Sequence, residues 1–574
     1  MRQKKPYLCL RFEKFFLPVS GFVLGIAVFL LIYGIEPLRV TGSAWIFQGV
    51  IESDILQHYT GWMFYRDSAW TWPLGLALNM GYPYGANIAY TDSIPIVSIF
   101  FKLISAWLPE HFQFFGLYTL ASFALQGAAA ALLISLFTRE KITALLGTGI
   151  FLFSSCMIER AFRHTALASH WLILFALFFY FKTARSRDWR WIGGFGLLNV
   201  LAIGIHPYLF AIVFLIFCTS FFSCIIEKNK EQNFRKKIVL SFLLILMITF
   251  AAGYTIGLFE KDQIKPAGGF GYYSFNLNQI YNPTAKGIDR WSALLPKQPQ
   301  MEEQADGLYY LGSGILLFSI LIILRLIRMI FFSSESREIL KQRGLLLVKK
   351  HHLLLIACLL LLLFALSNRI TWNQRVVAAY SLPDKILSWC NIFRSSGRFF
   401  IVLYYLWFLA VIIGILRFFG KQKNFLLLIL LMIQIFDMAP ALKEKYTYFH
   451  QRYEKPYLAE IWTDIAQNYS KVIVIGENRD LQLAGWIGDH HLKTNMMFSA
   501  PVHLNRFWEK TKNDRDTLLD QIILGKEVDK ESVVLFDSEY LLPRITAGLN
   551  SGYEIIKTDN YYHNYYVILP KDNE

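Results

Sequence analysis

Ser93-Ile-Pro95-Ile-Val-Ser-Ile-Phe-Phe-Lys102-Leu-Ile-Ser-Ala-Trp107-Leu-Pro109 is the stretch on which the fold turns, because its crossing or not crossing a bilayer sets the side of every later loop. It is apolar, yet it carries Pro95 and Lys102, ends at Pro109, and is short for a hydrocarbon layer that takes about 20 helical residues to span. It reads as a segment lying in or dipping into the interface. Outside it, apolar runs of spanning length stand near 15–36, 112–137, 142–158, 169–182, 190–206, 208–226, 238–258, 308–331, 352–367, 399–418 and 424–440. These predict a mainly α, polytopic membrane protein with about eleven transmembrane helices.

The positive-inside rule tests that choice. With 93–109 kept out of the bilayer, Arg139/Lys141, Lys182/Arg185/Arg187/Arg190, Lys228/Lys230/Arg235/Lys236/Lys237, the loop from Arg337 to Lys350 and the Lys421/Lys423 turn fall in the cytoplasm. Glu52, Asp54, Asp67 and Asp92 then fall outside. One more crossing would turn most of the basic clusters outward. Arg2, Lys4, Lys5, Arg11 and Lys14 precede the run from Phe15 to Ile35, whose length exceeds the apolar core of a signal peptide. It is read as an uncleaved first helix with a cytoplasmic N-terminus.

Composition agrees with a membrane class. Of 574 residues, 55% are hydrophobic and 17% charged, with a mean hydropathy of +0.38. The net charge of +15 sits in short loops between apolar runs rather than on one polar face, so no nucleic-acid partner is implied. Cys9, Cys156, Cys218, Cys224 and Cys358 lie in or beside apolar runs without metal-ligand spacing, and only Cys390 falls in a predicted outer loop. A disulfide framework therefore has almost no candidates.

Three long outer segments follow from the topology, 37–111, 259–307 and 368–398, before a C-terminal domain over 442–574. That domain holds strand-like runs at Lys471 to Gly476, Ser532 to Phe536 and Tyr565 to Leu569, with helical stretches between, and predicts a small extracytoplasmic α/β unit. The membrane part spans 1–441, including the long first loop.

Chemistry gathers in those outer segments. In Glu52-Ser-Asp54-Ile-Leu-Gln57-His58-Tyr-Thr-Gly-Trp62, a helix over 54–66 puts Asp54 and His58 one turn apart on one face. A carboxylate there can deprotonate an attacking hydroxyl, with the imidazole orienting it; alternatively Ser53 and Asp54 simply cap the helix. Asp92, ahead of the 93–109 segment, either lines a site at the bilayer surface or caps that helix. Glu159-Arg160-Ala-Phe-Arg163-His164, followed by His170, places cations at an outer helix mouth, against the topology rule. They call for a partner, such as Glu159, Asp54 or a bound phosphate, and Glu159/Arg163 at i,i+4 could be a local ion pair. His164 and His170 lack a matching ligand set for a metal. Arg394-Ser-Ser-Gly397-Arg398 can offer two guanidinium groups and several backbone N–H groups to one phosphate, or its arginines can snorkel to headgroups. His206-Pro207-Tyr208 reads as a turn or as part of the site.

This layout resembles the GT-C superfamily of membrane glycosyltransferases, and the stretches Asp54 to Trp62, Tyr90 to Pro95, His164 to Trp171 and Phe393 to Phe400 resemble a bacterial family of unknown function numbered 6311. The resemblance implies a bacterial cytoplasmic (inner) membrane protein. It also implies a hexosyl- or pentosyltransferase that moves sugar from a polyprenyl-phosphate donor to a glycan, lipid or protein acceptor on the extracytoplasmic face. Asp54 matches the first-loop carboxylate of that superfamily and would be the catalytic base, with His58 supporting it. Arg394, Arg398, Arg160 and Arg163 would hold the donor phosphate, while Gln57, Asp92, Glu159, His164, His170 and His206 would line the substrate. A divalent cation, Mg or Mn, is left open, with Asp54, Asp92 and Glu159 as its candidate ligands. No Gly-rich nucleotide-sugar fingerprint is evident. The competing readings are a transporter or flippase of lipid-linked sugars, against which the absence of matching inverted halves speaks, and a non-catalytic envelope-assembly subunit.

Overall fold

The computed structural model describes the backbone of residues 7–48, 54–186, 188–226, 232–259, 265–266, 268–332, 334–476, 480–498, 502–503, 505–558 and 563–571. Side chains are described from residue 15 onward within these ranges, except at 265–266, 305–306, 502–503 and 505–508. The readings made on Arg2, Lys4, Lys5, Glu52, Ser53, Arg187, Lys228 and Lys230 lie outside the described residues, as do those on the side chains of Cys9, Arg11 and Lys14.

The chain is mainly helical, and each apolar stretch read as a span carries a helix. Among the described residues, 9 helices are long and apolar enough to cross a membrane. Two further apolar helices, Lys141–Leu152 and Arg190–Ile205, have 12 and 16 residues, so the expected eleven become nine full-length candidates and two short ones. Residues 93–109 form the 9-residue helix Pro95–Leu103 and a single turn at Ser105–Trp107, a helical rise of about 13 Å. Pro95 starts that helix at its first turn, where a missing N–H costs nothing. The region from Arg337 to Lys350, expected as a loop, is instead helical within Ser334–Leu366, which breaks only at His351 (φ −118°, ψ 20°). Its Leu, Lys, Arg, Glu and Gln residues are strong helix formers.

Two compact units emerge, the first comprising Met1–Arg39, Phe114–Phe250 and Gly268–Gln451, the second Val40–Gln113, Ala251–Ala267 and Arg452–Glu574. The first unit is the helical bundle. Small residues let its helices touch: a Cβ on Gly21 would stand 2.8 Å from the Ala131 Cβ, and one on Gly25 would stand 2.8 Å from the Ala124 Cα. Close backbone approach of this kind is how helices associate where no hydrophobic drive separates protein from lipid. Large apolar side chains such as Leu243, Met247, Phe250, Leu355, Leu359 and Leu363 remain exposed, which suits hydrocarbon and would be a liability in water. Gln126, Ser154, His170, Gln434 and Asp437 are buried inside instead.

The second unit contains a five-stranded mixed sheet. Its strands are β1 (Lys471–Ile475), β2 (Lys493–Thr494), β3 (Ser532–Phe536), β4 (Tyr553–Lys557) and β5 (Tyr566–Pro570), in the order β4-β5-β3-β1-β2. β1 runs parallel to β2 and β3, and β5 runs antiparallel to β3 and β4. Phe64, Met80 and Ala86 from the stretch after the first helix share one core with Trp462, Trp486 and Val472, so the unit that holds the sheet also takes in residues before 442. The helix Leu481–Asp489 packs closely on that stretch, since a Cβ on Gly485 would stand 3.0 Å from Leu56 and 2.8 Å from Phe47.

Candidate functional site

In the second unit, the helix Asp54–Asp67 begins at Asp54, and its period places Asp54, His58 and Gly61 on one face. That face meets the turn Tyr90–Ile94. The Ser93 hydroxyl donates to the His58 carbonyl at 2.7 Å and lies 2.7 Å from the Thr91 hydroxyl. Gly61 makes the approach possible, because a Cβ there would stand 2.7 Å from the Thr91 Cβ. Asp92 (φ 56°) and Ile94 (φ 53°) adopt the left-handed conformation, unusual for Ile and tolerable for Asp. The N-cap of Pro95–Leu103 is Ile94, with no side-chain cap, so Asp92 does not take the capping role open to it in the sequence. His58 is buried, while Asp54, Gln57 and Asp92 are half-buried.

Other residues fix this helix from its remaining sides. Tyr59 donates its hydroxyl to the buried Asp489, to which Lys455 Nζ also lies at 2.6 Å. Burial raises the Tyr59 phenol well above its ordinary value, and the Asp489 carboxylate adds to that. Burial also pushes the Asp489 carboxyl up, but His111, Lys455 and Tyr59 outweigh it and hold the group below the usual carboxylate value. At the C-terminal end, Arg66 donates to the Pro109 and Glu110 carbonyls at 2.7 Å and to those of Ser105 and Leu108 at 3.3 Å. Asp67, a carboxylate where the helix dipole is negative, is met by His491 Nδ1 at 2.6 Å.

The first unit holds the cationic groups. Ser154 caps the short helix Ser155–Arg160 by accepting from the Met157 N–H, and the chain turns through Phe162 (φ 64°) to bring Arg163 back. Glu159, Arg160 and Arg163 are all buried to within 3% of full enclosure. Arg163 pairs with Glu159, and Lys445 from the helix Lys423–Phe449 adds its Nζ at 3.6 Å from the other Glu159 oxygen. Lys445 also lies 5.8 Å above the Trp291 ring. The local ion pair that competed with phosphate binding is thus formed, with a second cation that the sequence reading missed. His164 is half-buried beside this cluster. His170 instead enters a buried network, 2.7 Å from the Tyr405 hydroxyl, which contacts Gln126 and Ser154 at 3.2 Å.

Arg394 and Arg398 sit on tyrosines. The Arg394 guanidinium lies 4.7 Å over Tyr273 and that of Arg398 4.8 Å over Tyr208. Tyr208 accepts from the Ser395 N–H at 2.9 Å, and His206 Nδ1 accepts from the Tyr208 N–H at 3.1 Å. His206-Pro207-Tyr208 is therefore the platform under Arg398. Gly397 is required, since a Cβ there would stand 3.1 Å from the Phe275 nitrogen.

Sequence reasoning also missed Asp437. Fully buried, it accepts from the Tyr310 hydroxyl at 2.6 Å, the Ser313 N–H at 2.9 Å, the Leu294 N–H at 3.3 Å and the Ser292 hydroxyl. An acidic residue in an apolar run is a visible signal, but these four donors make it a clasp for the segment 292–313. Among the described residues, no three His, Cys, Asp or Glu side chains gather as a metal set. Both Glu159 oxygens already face cations, so Glu159 is committed to Arg163 and Lys445 rather than open to a divalent ion.

The sequence profile of a family described as a domain of unknown function (DUF6311) matches residues 22–439. No curated protein matches the chain.

Proposed function

The chain belongs to the DUF6311 family, and from that premise we propose that it is a GT-C-type membrane glycosyltransferase, transferring sugar from a polyprenyl-phosphate donor to an acceptor hydroxyl or amine. In this reading the reaction takes place on the extracytoplasmic face of a bacterial inner membrane, where the C-terminal α/β region also lies. The observation that supports it most is the Asp54–Asp67 helix, which carries Asp54 and His58 on the face covered by the Asp92 turn and is fixed by Asp489, Arg66 and Asp67 contacts.

Asp54 acts as general base, taking the proton as the acceptor oxygen or nitrogen forms its bond to the anomeric carbon. His58 orients the carboxylate. The anomeric C–O bond to phosphate breaks, and the electron pair leaves with the phosphate. That developing charge calls for cations, a role for which Arg394 and Arg398 are the candidates.

Reconstitution with polyprenyl-phosphate sugars tests the reading. Wild-type protein consumes the donor and Asp54→Asn does not. Labelled lipid crossing the bilayer with no donor consumed would replace transfer with transport.

A further inference from the structure

A cavity of about 200 Å³ opens in the second unit between the 82–83 turn, the sheet and the helix Asn505–Ile523. It has the room of roughly six or seven water molecules, the scale of a single sugar ring. Its floor is apolar: Ile473 and Val534 are register partners on neighbouring parallel strands, and Leu518 closes over them. Tyr82 and Pro83 make a wall. Thr511, Asp514 and Arg515, spaced i, i+3 and i+4, bring one polar helix face to the rim.

The charges around this cavity are already matched. Lys471 pairs with Asp529 at 2.9 Å and Glu531 at 3.2 Å. Asp514 accepts from the Tyr84 hydroxyl at 2.7 Å, and Arg515 donates to the Gly476 carbonyl. Lys471 and Lys493 lie 5.9 Å and 5.5 Å over the Tyr82 ring. A charged guest would have to displace one of these partners. A neutral guest need only offer hydroxyls to the carboxylate, guanidinium and threonine, and a C–H face to Tyr82 and the aliphatic floor. Those two properties together describe a saccharide, which pairs hydroxyls with placed polar groups and a C–H face with an apolar or aromatic wall.

We propose that this cavity is a binding site for a neutral saccharide, which serves as the acceptor end of the transfer reaction. The acceptor role rests on the proposed function; saccharide binding by itself does not. The test uses full-length protein in detergent and saturation-transfer NMR with neutral gluco-, manno-, galacto- and N-acetylglucosamine oligosaccharides, alongside a glucuronate-containing oligosaccharide. At least one neutral saccharide gives a signal. Tyr82→Ala and Asp514→Ala each weaken its binding tenfold or more, while Tyr82→Phe, which keeps the ring, stays within threefold of wild type. Absence of saccharide binding at millimolar concentration, a preference for the glucuronate probe, or binding indifferent to both alanine variants would each overturn the site. Intact Tyr82-dependent binding in a protein that consumes no donor would leave the site standing and remove the transferase.

Discussion

Arg163 and Lys445 are enclosed and share the single carboxylate of Glu159, with Arg160 enclosed next to it in sequence, whereas Arg394 and Arg398 are half-buried and rest on tyrosine rings. The difference is one of mobility and cost. Buried charges hold each other in place, and taking one away strands the rest in a medium where an isolated charge costs several kcal/mol. A half-buried guanidinium over a tyrosine ring is held by a weaker, more exposed contact. The enclosed group holds its charges against one another inside the bundle, while the pair over tyrosine is the one to which the proposed function gives the donor phosphate.

Removing the central carboxylate should break that contrast most severely. Glu159→Ala leaves Arg163 and Lys445 without their shared partner and is expected to cost about 3–5 kcal/mol, read as a large fall in the thermal midpoint of the detergent-solubilised protein. A midpoint near wild type would mean that the enclosed cluster holds nothing together. Next comes the stacked pair. Arg398→Lys keeps a charge but loses the planar fork, and donor consumption should fall on the order of 10²-fold with the thermal midpoint unchanged. If stability falls instead, the two arginine pairs are not different in kind.

The second unit offers a pH test. The Asp67 carboxylate, hydrogen-bonded to His491, raises that imidazole against the opposing effect of burial. Its contribution is therefore fully present below the ordinary histidine value and is lost as pH rises through the raised one. Asp489 has a depressed value, so its contribution is present above the ordinary carboxylate value and is lost as pH falls through the lowered one. The thermal midpoint should peak between these limits, and His491→Asn should remove the alkaline shoulder alone. A smaller effect is expected at Lys102, another cation on rings, 4.0 Å over Tyr65 and 4.6 Å over Trp70. Burial pushes it down to about 8. Between there and the ordinary lysine value the unfolded chain binds more protons, so stability climbs with pH. Lys102→Met should flatten that climb while changing stability at neutral pH by about 1 kcal/mol or less; an unflattened curve would assign the climb to another group.

What could be read in the sequence was local. Apolar runs located the helices, and Pro95, Lys102 and Pro109 correctly marked 93–109 as too short to cross as a helix. The i,i+4 spacings placed Asp54 with His58 and Glu159 with Arg163. Partners far along the chain left no such trace. Tyr59 meets Asp489 and Asp67 meets His491 across more than 400 residues, and Lys445 reaches Glu159 from another helix. His170 is a like case, since its position near a helix mouth says nothing about Tyr405, whose hydroxyl lies 2.7 Å from its ring nitrogen. The helix over 334–350 was hidden because charge was read as loop, although Lys, Arg and Glu are good helix formers.

The central claim rests on Asp54, and its most direct test is donor consumption by the protein in liposomes charged with a polyprenyl-phosphate sugar, compared between wild type and Asp54→Asn at matched folding. Consumption by wild type with a loss of at least 10²-fold in Asp54→Asn is the predicted result. Equal consumption by the two proteins would contradict the assignment of Asp54 as base.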